Sequence, residues 1–166
     1  MLGRINSLFD GMAENSKESV WTVFRILASA MFMTHGFSKL FGENPQPPMG
    51  GGMTVVNIAD LFSFPMPLEI NALFIAGVVE FFGGLAILLG LWTHLAALIA
   101  AFIMLMAYLT AHPAWFPTLN NGELAAMYFI TFLTIFAFGP GPYSLDTWLA
   151  VRRQEKRKDK MEANKL

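Results

Sequence analysis

The sequence contains no cysteine, and only 14% of its 166 residues are charged. The missing cysteine excludes a disulfide scaffold, thiol redox chemistry and cysteine-ligated metal clusters within this chain. Soluble domains carry about 25% charged residues, so this chain has too little polar material to cover a water-facing surface. No lysine or arginine occupies residues 40–151, a run of 112 positions, which excludes disorder and a nucleic-acid-binding surface there. These absences leave a small membrane protein with several spans.

Apolar residues make up 55% of the chain and gather in four windows. A helix needs about 20 mostly apolar residues to cross a hydrocarbon core of about 30 Å. The windows run from Val20 to Leu40, Ile70 to Leu91, His94 to Ala111 and Glu123 to Phe138. A tight connection makes the second and third windows an antiparallel hairpin. The predicted fold is therefore all-α, an antiparallel bundle of four transmembrane helices.

The segments on either side of the bundle differ in composition. Residues 1–19 place apolar residues at helical spacing between charges, which predicts an amphipathic helix at the headgroups, and residues 20–149 form the membrane domain. Residues 150–166 are a basic tail that is expected to contact anionic lipid. Seven of the eleven lysines and arginines lie from Arg152 onward and two precede the first span, so the positive-inside rule places both termini in the cytoplasm.

A long loop, Gly42 to Glu69, joins the first two spans and faces outward in this topology. Its five prolines and the triplet Gly50 to Gly52 exclude a single helix. Within the loop, the segment from Thr54 to Phe64 places Asn57 and Asp60 three residues apart. This pattern predicts either a short helix at the membrane surface or a hydrophobic loop packed over the bundle.

Ionisable residues inside the spans need an explanation, because a charge at the bilayer centre costs about 2.5 to 3.5 kcal/mol. Glu80 lies near the middle of the second span, among small residues that let a helix or a flat ligand approach its carboxylate. On the first span, Arg25, His35 and Lys39 share one helical face. Arg25 is expected to neutralise Glu80, while Lys39 either donates to a ligand or snorkels to the surface. Glu80 is then half of a structural ion pair or a proton-handling group.

The outer ends of the spans bring further polar side chains to one level. His112 ends a stripe of the third span that includes Tyr108, and Asn121 and Glu123 precede and begin the fourth span. Donors and carboxylates beside aromatic and methionine side chains predict a slot for a quinone ring, although a polar core that only binds helices together has the same composition. The candidate catalytic residues are Glu80 and His112, and the candidate ligand-binding residues are Arg25, His35, Lys39, Tyr108, Asn121 and Glu123.

Several motifs together resemble the DoxX family of small four-helix membrane proteins. They lie between about Val20 and Leu149 and comprise Arg25, His35–Leu40 (HGFSKL), Glu80–Gly84 (EFFGG), Gly90–Thr93 (GLWT), Asn121–Ala125 (NGELA) and Gly139–Asp146 (GPGPYSLD). The resemblance implies a bacterial inner-membrane protein, which in some relatives is associated with oxidoreductase systems. One branch resembles the quinone-linked subunit of a thiosulfate-oxidising enzyme, and others are linked to quinone stress or to thiol and oxidative defence. Thiol chemistry would come from a partner, because this chain has no cysteine.

The main functional hypothesis is a membrane subunit of a redox system that holds a quinone or a similar small aromatic molecule near the outer face. A haem between His35 and His112 is the less favoured cofactor, and no metal site is predicted. The expected partners are the lipid bilayer and either a redox protein or further copies of the chain, with no nucleic acid. One alternative is a non-enzymatic membrane anchor or assembly partner of an oxidoreductase or stress-response complex. A second alternative is a small-molecule carrier that acts as an oligomer.

Overall fold

The computed structural model describes residues 2–59 and 61–164, and it is mostly α-helical. The helices are α1 (Leu2–Phe41), α2 (Ala72–Val78), α3 (Gly84–Leu89), α4 (Thr93–Ala111), α5 (Glu123–Phe138) and α6 (Leu145–Ala163). A π-helical turn, Val79–Gly83, joins α2 to α3, and short 3-10 turns occupy Pro67–Glu69 and Pro117–Asn120. Two strands, β1 (Val55–Ile58) and β2 (Phe62–Pro65), complete the structure.

Two helical stretches within the described residues are long and apolar enough to cross a membrane. They are Ala72–Leu89, which runs through α2, the π-turn and α3, and Thr93–Ala111, which is α4. Helix α5 is apolar but shorter, at 16 residues. The predicted helical class therefore agrees with the structure, and two of the four predicted spans meet this criterion of length and composition.

The terminal helices cross the boundaries that the sequence predicted. Helix α1 is continuous over 40 residues and has no break at Val20, so the expected separate amphipathic helix is the first part of the same helix that carries Arg25 and Lys39. Helix α6 begins at Leu145, ahead of the expected boundary at residue 150. It begins there because the Ser144 hydroxyl accepts a hydrogen bond from the Thr147 amide, which caps the helix.

The segment from Thr54 to Phe64 forms a β-hairpin, so the surface helix predicted for it is wrong. The alternative prediction, a hydrophobic loop packed over the bundle, did not include the two strands. Strands β1 and β2 pair antiparallel, with Val56 opposite Phe64. Alternating β-branched and aromatic residues favour a strand over a helix in so short a segment. Asn57 lies in β1, paired with Ser63, and the prediction for Asp60 falls outside the described residues. The hairpin covers one end of the helices, which we call the hairpin end.

The core lies where α1, α3, α4 and α5 meet. Phe32 of α1 packs on Phe132 of α5 with ring centroids 4.5 Å apart, and α4 contributes small residues, Ala97, Ala100 and Ala101, that are fully buried. Such small residues let helices pack closely in a membrane. Glycine has the same role between α1 and the segment that carries Glu80: a Cβ on Gly36 would lie 2.8 Å from the Glu80 carbonyl carbon. The small residues beside Glu80 thus serve contact between helices.

Candidate functional site

Glu80 is buried inside the π-turn and forms an ion pair with Lys39 of α1. The Glu80 side chain is 3% exposed and the Lys39 side chain is 31% exposed. A π-turn contains one residue more than an α-helical turn, and such turns occur often at functional sites. Gly77 allows the pairing, because its Cα faces the Lys39 stem so closely that an added Cβ would lie 3.0 Å from Lys39 Cβ. Helices α1 and α2 therefore hold the two charges together.

A cavity of about 230 Å³ opens beside this ion pair at the hairpin end. We call it the polar cavity. It lies between the ends of α1 and α4, the π-turn and the start of α5. Five of the eight candidate residues from the sequence line it, and Tyr128 joins them as a sixth polar residue: the polar lining is His35, Lys39, Glu80, His112, Asn121 and Tyr128. Apolar side chains that include Phe32 and Met104 form the remaining wall.

Two buried polar atoms of the polar cavity's lining residues have no hydrogen-bond partner within the described residues. They are Glu80 Oε2 and Tyr128 Oη. A buried group left unsatisfied costs about 1 to 3 kcal/mol, so native proteins pair nearly all of them. The first oxygen of Glu80 accepts from Lys39, whereas the second has unused capacity beside a cavity. The arrangement can accept and donate hydrogen bonds to a small polar group placed there.

Tyr128 was not selected by the sequence analysis, although one signal pointed to it. It is a phenol inside a largely apolar helix, and a buried tyrosine hydroxyl normally has a partner. Its ring stacks on Phe132 at 5.8 Å between centroids and meets the edge of His35 at 5.9 Å. These contacts fix the ring, so the hydroxyl keeps a defined position at the cavity.

The tautomer of His112 follows from its one fixed contact. His112 Nδ1 lies 2.8 Å from the Asn120 carbonyl oxygen, which can only accept, so Nδ1 carries the hydrogen. Nε2 then accepts in the neutral ring and donates only in the imidazolium form. The expected donation from His112 to a ligand therefore requires a protonated ring.

Two candidate residues near the polar cavity do not line it. The Tyr108 hydroxyl donates to the Ala114 carbonyl at 2.6 Å and is committed to the loop after α4. Glu123 is exposed at the start of α5. Both residues lie at the hairpin end, as the sequence predicted, but their side chains are directed to other contacts or to the surface.

Arg25 does not contact Glu80, so the pairing expected from the sequence is not formed. Arg25 is 1% exposed and donates through Nη1 to the carbonyls of Ile87 and Leu88, at 2.5 and 2.6 Å, and through Nη2 to that of Tyr143 at 2.7 Å. The first two lie at the C-terminal end of α3, where a cation is favoured, and the Ile87 carbonyl also accepts from the Gly90 amide at 3.0 Å. Arg25 and Lys39 are 14 residues apart, about 21 Å along a helix, and this places them at opposite ends of the molecule.

Asp146 forms further hydrogen bonds at the same end of the molecule as Arg25. We call the hydrogen bonds of Arg25 and Asp146 together the tail-end clasp. Its carboxylate accepts from the backbone amides of Trp92 and Thr93 and from the Thr93 hydroxyl, each at 2.9 Å, and so caps α4. The Asp146 amide donates to the Gly90 carbonyl at 2.8 Å. Burial raises the pKa of Asp146, but the three hydrogen bonds together with the nearby His94 outweigh it and hold the pKa below its usual value.

Comparison with known proteins assigns the chain to a family. Residues 20–113 match the DoxX family, which is more than half of the chain. An uncharacterised protein of Haemophilus influenzae is 37% identical over 127 residues, 74% of this chain and 84% of that protein. The inner membrane protein YqjF of Escherichia coli is 32% identical over 129 residues, 76% of this chain and 89% of that protein. No solved structure matches.

The family match and the relatives agree with the structural evidence for a membrane protein. Two helical stretches are long and apolar enough to cross a bilayer, and one relative is an inner membrane protein by name. The family match includes Arg25, the Lys39–Glu80 pair and the whole of α4. The chain belongs to the DoxX family.

Proposed function

We propose that the chain is an integral protein of a bacterial inner membrane that crosses the bilayer four times. The segments that cross are the second half of α1, the stretch from α2 to α3, α4 and α5, arranged as an antiparallel bundle with both termini in the cytoplasm. The name of the Escherichia coli relative supports the location. The charge distribution supports the orientation, since residues 40–151 contain no lysine or arginine and the tail contains seven.

We further propose that this protein is the membrane subunit of a redox system and holds a quinone ring in the polar cavity. The observation that carries the proposal is a pair of buried atoms without a partner among the described residues, beside a cavity with an aromatic and methionine wall. Tyr128 Oη can donate to a quinone carbonyl, and Glu80 Oε2 can accept from a hydroquinone hydroxyl. Quinone carbonyls accept hydrogen bonds, which Tyr128, Lys39 and an imidazolium at His112 would donate. The flat ring lies against Phe32 and Met104.

A bound quinone accepts two electrons and two protons when it becomes a hydroquinone, and a partner redox protein supplies the electrons. Glu80 and His112 would take the catalytic role, because both line the polar cavity and both can exchange protons. Lys39 keeps the Glu80 carboxylate in position through its ion pair. His35 and Asn121 line the same cavity and contact the ring edge.

Equilibrium binding of decylubiquinone to the purified protein in lipid nanodiscs tests this proposal. We expect Glu80→Gln and His112→Ala both to lower the affinity by about tenfold. His112→Ala removes a charged donor to a quinone carbonyl, and Glu80→Gln removes the ion pair that holds Lys39 in position to donate. A hydrogen bond that involves a charged group is worth about 1.5 to 3 kcal/mol. Glu43→Gln is the matched control, since Glu43 is an exposed carboxylate that follows α1 at the same end. Equal affinity in the wild type, Glu80→Gln and His112→Ala would contradict the proposal. If Glu80→Gln instead lowers only stability, the alternative of a structural membrane anchor is favoured.

A further inference from the structure

A second cavity, of about 380 Å³, lies under the β-hairpin next to the polar cavity. We call it the apolar cavity. Its walls come from α2, α4 and the inner face of the hairpin, with Val56, Phe64, Leu73 and Met106 among them. Apart from Thr110 and the Lys39–Glu80 pair, every lining side chain is apolar. The Thr110 hydroxyl donates to the Met106 carbonyl of its own helix at 2.8 Å, so its hydrogen is not available to a ligand in the cavity.

The two cavities share one wall, formed by the Lys39–Glu80 pair and by Ala107 and Ala111 of α4. Ala107 and Ala111 lie one helical turn apart and have no side chain beyond Cβ. No bulky group of α4 therefore separates the cavities at that wall. A molecule that contacts Glu80 from the polar cavity has an adjoining apolar space on the other side of the ion pair.

The hairpin is held in place by backbone hydrogen bonds, so the space beneath it has a fixed roof. Asn71 is fully buried, and its Oδ1 accepts from the amides of Met53 and Leu73, both at 3.0 Å. The Ala59 amide at the hairpin turn donates to the Leu109 carbonyl of α4 at 2.8 Å. These contacts fix both the stem and the tip of the hairpin against the helices.

The volumes indicate how a ligand occupies this region. The polar cavity, at about 230 Å³, is smaller than the range of about 300 to 1,000 Å³ for typical ligand pockets. The combined volume of the polar cavity and the apolar cavity falls within that range. We infer that the ligand is an amphiphile whose polar ring occupies the polar cavity and whose hydrocarbon chain occupies the apolar cavity under the hairpin. This inference rests on the proposed function and adds the class of the ligand to it.

The position of the ligand's hydrocarbon chain tests this inference better than the affinity of the ligand does. A bilayer is as apolar as this cavity, so moving a hydrocarbon chain from lipid into the protein gains little from the hydrophobic effect. The cavity instead determines the position of the ligand's hydrocarbon chain. Photolabelling reports that location directly.

Two probes in lipid nanodiscs distinguish the inference from the proposed function. One is a benzoquinone with an azide on the ring, and the other is the same ring with a decyl chain that ends in a diazirine. We expect the ring probe to label residues of the polar cavity and the chain probe to label residues 102–111 of α4 and residues 53–66 of the hairpin. An excess of unlabelled decylubiquinone should lower both labels by about tenfold.

Variants that fill the apolar cavity provide the decisive comparison. Leu73→Trp should lower the chain label by about tenfold and leave the ring label within about twofold. Ala76→Phe is a second filling variant in case the first does not fold, and Leu98→Trp on the exposed face of α4 is the matched control that changes neither label. A chain label on exposed residues of α5, or one that survives both filling variants, overturns the inference and leaves the proposed function standing if the ring label is intact. If the ring probe does not label the polar cavity of the wild type, both the inference and the proposed function are overturned.

Discussion

The two ends of this molecule bury charge in different ways. At the tail-end clasp, Arg25 donates three hydrogen bonds to backbone carbonyls and Asp146 accepts three, although Arg25 Nε has no partner in the described part of the chain. At the hairpin end, one oxygen of Glu80 is paired with Lys39. Within residues 2–59 and 61–164, the other oxygen and the Tyr128 hydroxyl have no partner, and both residues line a cavity. Backbone groups are fixed partners that join elements, whereas unused bonding capacity beside a cavity is available to a ligand. The contacts of the clasp join elements of the fold, whereas the polar cavity is where we propose that a ligand binds.

The largest expected effect is loss of the clasp in Arg25→Met. The carbonyls of Leu88 and Tyr143 would lose their Arg25 donor, while that of Ile87 would keep the Gly90 amide. An unsatisfied group costs about 1 to 3 kcal/mol, so the free energy of unfolding should fall by about 2 kcal/mol or more. Unfolding by SDS in mixed micelles measures this value. Lys17→Met is the control, because Lys17 is an exposed residue paired with Glu14 within one helical turn. A similar small change in both variants would show that Arg25 does not hold the tail end together.

Asp146→Ala should have the next largest effect on stability. It removes the cap from the first amides of α4, which costs about 1 to 2 kcal/mol. The same unfolding measurement applies, with Asp159→Ala in the exposed part of α6 as the matched control. If the two aspartate variants have equal stability, the cap contributes nothing to the fold.

The clasp also predicts how stability depends on pH. The pKa of Asp146 is lowered in the folded state, so its contribution is present above the unfolded pKa of about 4 and is lost as the pH falls through the folded pKa. The free energy of unfolding of the wild type should therefore decrease below about pH 5 more steeply than that of Asp146→Asn. Parallel pH profiles for the two proteins would contradict the proposed cap.

The smallest effect on stability is expected for Tyr128→Phe. The hydroxyl has no partner to lose among the residues that the structure describes, so the free energy of unfolding should change by less than about 0.5 kcal/mol. Quinone affinity should fall by about threefold to tenfold, the value of one ordinary hydrogen bond. Equilibrium binding in nanodiscs checks the second part. A stability loss without any change in affinity would place Tyr128 with the structural residues instead.

The sequence predicted the helical class and the family, because long apolar windows and the motifs around Glu80 are local signals. It also placed His35, Lys39, His112 and Asn121 at one level, since helical spacing and span order determine height within a bundle, although it placed Glu80 near the middle of its span. It did not predict which cation pairs with Glu80. That choice depends on the rotation and depth of α1 against α2, which the contacts of Gly36 and Gly77 set.

The hairpin was missed for a different reason. Its strands are four residues each, and a short apolar run with one polar position has no reliable period. Its position depends on Asn71, a single buried amide in a loop rich in proline and glycine, whose contacts span 25 residues of sequence. The apolar cavity under the hairpin could not be predicted before that segment was known to be a hairpin.

The most direct test of the central claim is the stabilisation of the folded protein by decylubiquinone. A ligand at about 100 times its Kd raises the free energy of unfolding by about 2.7 kcal/mol. We expect this increase for the wild type and for Glu43→Gln. It should be largely lost in Glu80→Gln at the same quinone concentration, because Lys39 loses the ion pair that positions it. No increase in the wild type, or an equal increase in Glu80→Gln, would contradict the claim that Glu80 and the polar cavity bind the quinone.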